Sequence, residues 1–131
     1  MIAVDTNVLV TLLVREDDPL HGRVKRLFAQ GFIYIAPTVL LEAEWVIPSR
    51  YNWPRHDILI AFAELLALPN VESEAWVGKA LTWVASGLEL ADALHFAGSE
   101  SAEAFYTFDR DFIRKGRAVE GGLAFFEAPD L

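Results

Sequence analysis

Apolar positions along this chain switch between short unbroken runs and stripes at helical spacing, and the two patterns alternate. Ile2, Ala3 and Val4 are apolar with no polar residue between them, which predicts a strand buried on both faces of a parallel sheet. Asp5 stands at its carboxyl end, Thr6 and Asn7 supply a turn and helix cap, and Val8, Leu9, Leu12 and Leu13 follow at helical spacing. After a charged break at residues 15–19, Pro19 suits the first turn of a second helix, with Leu20, Val24, Leu27 and Phe28 on one face and Gly31 past its end. Residues 32–36 predict a second buried strand that stops at Pro37, and Thr38 is the expected cap of a third helix.

That third helix carries Glu42 and Glu44 among Val39, Leu40, Ala43, Val46 and Ile47. On a wheel of about 100° steps both glutamates lie equally far from the apolar stripe, so periodicity does not choose between them. Pro48 is expected to end or kink the helix by removing an amide donor. Trp53-Pro54 opens a fourth helix, with Ile58, Phe62, Leu65 and Leu66 inward, and Leu68-Pro69-Asn70 turns into a short strand at Val71 and Glu72. A helix is expected from Ser73 or Glu74 to about Ser86, with stripes Trp76, Ala80, Trp83 and Val77, Leu81, Val84; Gly87-Leu88 breaks it, and another runs from Glu89 or Leu90 to Gly98. Residues 104–107 predict a buried strand that turns at Asp109 into a short helix ending by Gly116, and residues 123–126 a last strand. The expected class is α/β, a three-layer sandwich with a mainly parallel central sheet flanked by helices.

A length of 131 residues with 53% hydrophobic content bounds the chain to a single domain over residues 1–131. No apolar run reaches the ~20 residues of a membrane span and no basic signal head opens the chain, so a cytoplasmic protein with no membrane role is expected. The absence of cysteine excludes disulfides, thiolate metal sites and a cysteine nucleophile. A net charge of −8 gives no general attraction to nucleic acid. Local basic groups remain: Arg110, Arg114, Lys115 and Arg117 can hold phosphates, whereas Arg23, Lys25 and Arg26 read as a solvated helix face.

Candidate chemistry rests on carboxylates. Parallel strands that each end in an acid point the same way, which predicts Asp5 and Asp109 at one edge of the sheet. Like charges held together are costly, and a persistent acidic cluster is most simply a cage for a hard cation, Mg²⁺ or Mn²⁺, given all-oxygen donors. Singly, Asp109 or Asp111 would be helix caps and Asp92 a first-turn acid answering the helix dipole. His95, three residues after Asp92, reads as a packing residue or a support to the site.

The strings Ile2-Ala3-Val4-Asp5-Thr6-Asn7, Thr38-Val39-Leu40-Leu41-Glu42, Ala91-Asp92-Ala93-Leu94-His95 and Tyr106-Thr107-Phe108-Asp109-Arg110-Asp111-Phe112 resemble, in order and spacing, the four acidic motifs of the PIN domain family, and the chain as a whole resembles its VapC-type toxins. The resemblance implies a PIN-like fold and a Mg²⁺- or Mn²⁺-dependent endoribonuclease with Asp5, Glu42, Asp92 and Asp109 as the acidic cluster. It places Asp5, Asp92 and Asp109 as metal ligands and selects Glu42 over Glu44. It also implies supporting roles for Thr6, Asn7, Thr107 and Asp111, an RNA substrate cut to 5′-phosphate and 3′-hydroxyl ends, a cognate small antitoxin, and a homodimer. Pro48 departs from the family pattern, with an altered geometry after Glu42 expected.

Other readings of the same residues are a PIN-like nuclease of RNA or DNA processing outside a toxin system, and a non-catalytic PIN-fold binding module. Intact acids weigh against the module, because it has no use for mutually repelling groups. An acid-centred phosphatase or receiver fold would want a lysine or a second acid beside Asp5, where Thr6 and Asn7 stand.

Overall fold

A computed structural model describes residues 1–119 and 121–127, the last two by their backbone alone. The chain forms two compact units, residues 1–74 and 75–131. The first comprises β1 (Ile2–Ala3), α1 (Thr6–Val14), α2 (His21–Gln30), β2 (Ile33–Tyr34), α3 (Pro37–Tyr51), α4 (Arg55–Leu66) and β3 (Val71–Glu72). The second comprises α5 (Val77–Ala85), α6 (Leu90–Ala97), β4 (Ala104–Thr107), α7 (Arg110–Arg117) and β5 (Ala124–Glu127). The α/β class and the parallel pairing are as expected: β1, β2 and β3 pair in that order, β4 pairs with β5, and every pair is parallel.

In the first unit β2 is the central strand, and Ile33 and Ile35 beside it are fully buried. The expectation that residues 2–4 are buried on both faces fails for Ile2 and Ala3. Ile2 is 48% exposed, and only Val4 of the three is buried. β1 is the edge of its three-stranded set, and an apolar triplet does not tell an edge from a centre. Asn70 closes this unit, its Nδ2 donating to the carbonyls of Phe28 at 2.7 Å and Gly31 at 2.8 Å. α2 turns Phe28 inward, whereas Leu20 lies before its first turn and is exposed.

Helix starts differ from the sequence expectation where a residue other than the predicted cap satisfies the first amides. Asp5, not Thr6 or Asn7, caps α1: its Oδ1 accepts from the Thr6 N–H at 2.7 Å. α3 begins at Pro37, which has no amide to satisfy, so Thr38 falls inside the first turn. α5 starts only at Val77, and Glu74 instead accepts the Tyr34 hydroxyl at 2.7 Å; that bond raises the tyrosine's pKa.

Pro48 does not end α3. The helix continues to Tyr51 and closes at Asn52, whose φ of 56° is left-handed. The hydroxyl of Ser49 donates to the carbonyls of Val46 at 2.9 Å and Trp45 at 3.2 Å within the same turn.

The second unit is built on rings. Phe96 of α6 packs against Trp83, Phe105, Phe112 and Phe125, with centroids 4.3–6.1 Å apart. Gly116 and Gly122 exist to admit those rings: a Cβ on Gly116 would overlap Phe125, and one on Gly122 would meet Phe96 at 2.7 Å. α5 buries Val77, Ala80 and Trp83; Gly87, at φ 114°, then ends it while the Leu88 amide donates back to the Trp83 carbonyl at 3.2 Å.

Candidate active site

α1 and α3 pack side by side, and a cleft of about 250 Å³ opens between them. Asp5, Thr6, Asn7, Val10 and Arg15 line it from α1 and its caps, and Glu42, Val46 and Arg50 from α3. The side chains of α3 follow from i, i+4, i+8 spacing, which repeats along one helix face. Asp5 reaches the cleft because it caps α1 at the end of the β1 segment. Glu42 and Glu44, which periodicity leaves equivalent, are separated by their surroundings. Glu42 is exposed in the cleft, whereas Glu44 is 9% exposed and bound by the Arg55 Nε at 2.8 Å.

In the second unit Asp92 sits in the first turn of α6, half-buried, and Asp109 caps α7 by accepting the Phe112 N–H at 3.1 Å. Thr107 holds the second acid's backbone, its Oγ1 accepting the Asp109 N–H at 3.1 Å. Burial raises the pKa of Asp92, and the negative charge of Asp109 raises it further, against smaller lowering contributions from His95 and Lys115.

Asp111 is exposed and tied within its own helix to Arg114 and to Lys115, the latter at 3.0 Å, contacts that lower its pKa. Of the expected phosphate-binding residues, Arg114 and Lys115 are thus engaged with Asp111, Arg117 donates to the Phe125 carbonyl at 3.3 Å, and Arg110 is exposed. The expected packing role of His95 is not found, since its ring is exposed beside Asp92.

Sequence reasoning missed Arg15 and Arg50. Arg15 lies in the charged break after α1, and Arg50 lies beyond the expected helix end at Pro48. Once α3 is allowed to continue, the two-turn spacing from Glu42 places Arg50 on the same face.

Asp5 and Glu42 in the first unit, and Asp92 and Asp109 in the second, each offer oxygen, the donor type that a hard divalent cation takes, and among the described residues none of them has an ion-pair partner within 4.0 Å. Each unit supplies two of these acids, and among the described residues no group of three or more histidine, aspartate or glutamate side chains is placed to hold one ion.

A model of the PIN domain family matches residues 2–118. The chain belongs to the PIN domain family. The match spans Asp5, the cap of α1 in this PIN chain, and Asp109, the cap of α7. No curated protein matches the chain. Among solved structures, this PIN chain is similar to VapC20 of Mycobacterium tuberculosis, described as a sarcin-ricin loop cleaving toxin. The two are 25% identical over 88% of this chain and 95% of that one, with a TM-score of 0.43. No helix among the described residues of the PIN chain is long and apolar enough to cross a membrane.

Proposed function

We propose that this PIN-domain protein is a Mg²⁺- or Mn²⁺-dependent endoribonuclease, the toxin of a toxin–antitoxin pair. One observation carries the reading: none of Asp5, Glu42, Asp92 and Asp109 is ion-paired among the described residues, while Glu44, two positions from Glu42, is bound to Arg55. Carboxylates left without an ion-pair partner are available to a cation.

Asp5, Asp92 and Asp109 would hold the ion, with Glu42 completing the acidic set. When bound, the divalent ion supplies the positive charge that a phosphodiester needs as water attacks it. The chain's own groups do the positioning. The α1 cap bond fixes the Asp5 carboxylate, Thr107 fixes the backbone of Asp109, and Thr6 and Asn7 line the cleft beside Asp5. Asp92, whose charge is disfavoured by burial and by Asp109, gains from the cation's arrival. The substrate is RNA, left with 5′-phosphate and 3′-hydroxyl ends. A small antitoxin, a homodimeric state, a single domain over the whole chain and a cytoplasmic setting belong to the same reading and rest on the family resemblance.

The test is cleavage of a mixed cellular RNA pool by the antitoxin-free protein with Mg²⁺ or Mn²⁺, beside EDTA and Asp5→Asn controls. Discrete cuts that vanish in both controls support the reading; cuts that survive Asp5→Asn, or no cuts from a folded protein that binds the metal, overturn it.

A further inference from the structure

The cleft between α1 and α3 is polarised along its length. Asp5 caps the start of α1 and Arg15 its end, and on α3 Glu42 precedes Arg50 by two turns, roughly 12 Å along the axis. Val10 and Val46 lie between. The carboxyl ends of the two helices are joined, because the Arg15 Nε donates to the Tyr51 hydroxyl at 2.7 Å and its guanidinium lies 5.7 Å from that ring's centroid.

The charges in this cleft are not matched to one another. Among the described residues no ion pair within 4.0 Å joins either arginine to Asp5 or Glu42, and the Arg50 guanidinium makes no hydrogen bond. Arg15 is held through Nε alone, which orients its plane and leaves both terminal nitrogens to serve an incoming anion. A planar guanidinium fixed in this way matches the oxygens of a phosphate, and fixing it beforehand reduces the ordering cost of binding. By contrast, Arg114 and Lys115, in the basic stretch of α7, are already occupied by Asp111.

We propose that Arg15 and Arg50 form a backbone-phosphate subsite of the RNA cleft, gripping a phosphodiester further along the strand from the one at the Asp5–Glu42 end. The subsite rests on the ribonuclease reading. The apolar stretch at Val10 and Val46 spans the interval between the two phosphates, and Tyr51 is a positioning residue that acts through Arg15.

The experiment is equilibrium binding of a fluorescently labelled single-stranded RNA of mixed sequence, in EDTA so that nothing is cut, across a salt series. Arg15→Gln and Arg50→Gln each weaken binding roughly tenfold and each flatten the log–log salt slope by about 0.7, whereas Arg114→Gln with Lys115→Gln changes both less. Tyr51→Phe weakens binding in the wild type and has no further effect in Arg15→Gln, a coupling that a merely structural tyrosine would not show. An Arg15→Gln/Arg50→Gln double variant that stays folded by circular dichroism and keeps wild-type affinity and slope overturns the subsite alone. A wild-type chain that binds no RNA overturns the subsite and the RNA reading together. Binding lost in the double variant, in a wild type that cuts nothing with Mn²⁺, keeps the subsite and removes the nuclease.

Discussion

Glu44 and Arg55 are joined at 2.8 Å, from α3 to the first residue of α4, and the carboxylate is largely buried while the guanidinium is not. Removing the cation takes one counter-charge from a carboxylate held largely out of water, partly relieved by water where Arg55 stood. Arg55→Ala is expected to cost about 1–2 kcal/mol in urea unfolding, below the range for a fully buried pair. RNA cleavage should be unchanged. Glu42→Gln, two positions earlier and exposed, should do the reverse, abolishing cleavage while unfolding as the wild type does.

Asp5 serves both as helix cap and as motif acid, and the two roles separate by substitution. Asparagine caps as well as aspartate, so Asp5→Asn should hold stability within about 0.5 kcal/mol, whereas Asp5→Ala should lose about 1 kcal/mol. Both should lose cleavage by more than the ~10- to 100-fold typical of losing an outer-sphere partner. Calorimetry and a gel assay on the same samples measure the two effects.

The raised pKa of Asp92 has a definite sign in stability. The folded chain holds this proton more tightly than the unfolded chain, so stability falls as pH rises from the ordinary carboxylate value of 3.8 through the raised one. At neutral pH the ionised side chain is therefore a burden. Asp92→Asn should raise Tm at neutral pH in EDTA, with the gain shrinking as pH falls into the carboxylate range. Mn²⁺ should raise the wild-type Tm and move that of Asp92→Asn less. An equal Mn²⁺ shift in both proteins would place the ion elsewhere.

Gly116 and Gly78 are both helical glycines, with opposite expected responses to alanine. Gly78 in α5 has nothing within 4 Å of an added Cβ, so Gly78→Ala should stabilise by about 0.5 kcal/mol through helix propensity. Gly116→Ala makes the same gain but drives a methyl into the Phe125 ring, and should destabilise by about 1–3 kcal/mol net. Chemical denaturation of the two variants side by side checks both signs.

Elements whose limits are set by local chemistry were legible in the sequence. Thr107 ends β4 beside a turn-forming acid, and Val71 and Glu72 follow a proline turn; both strands lie at the residues the pattern predicts. What was not legible depended on partners distant in sequence. Ile2 is apolar yet exposed because its position in the strand order decides its burial. The course of α3 past Pro48, as far as a left-handed Asn52, was not legible for a local reason, since a proline removes one amide without having to end the helix. At the candidate site, the sequence named acids of both units, while Arg15 and Arg50 carried no signal until the helix continuing past Pro48 put Arg50 on the face of Glu42.

Asn70 has a consequence for how the first unit assembles. Each strand of that unit is only two residues long, and the bonds from Asn70 to Phe28 and Gly31 span 42 and 39 positions of sequence. No such pairing can persist before the intervening helices have closed the loop, since the entropy of closure falls due before the contact is made. The sheet therefore forms late, and the refolding rate of this unit should respond more to the docking of α3 and α4 than to changes within the strands.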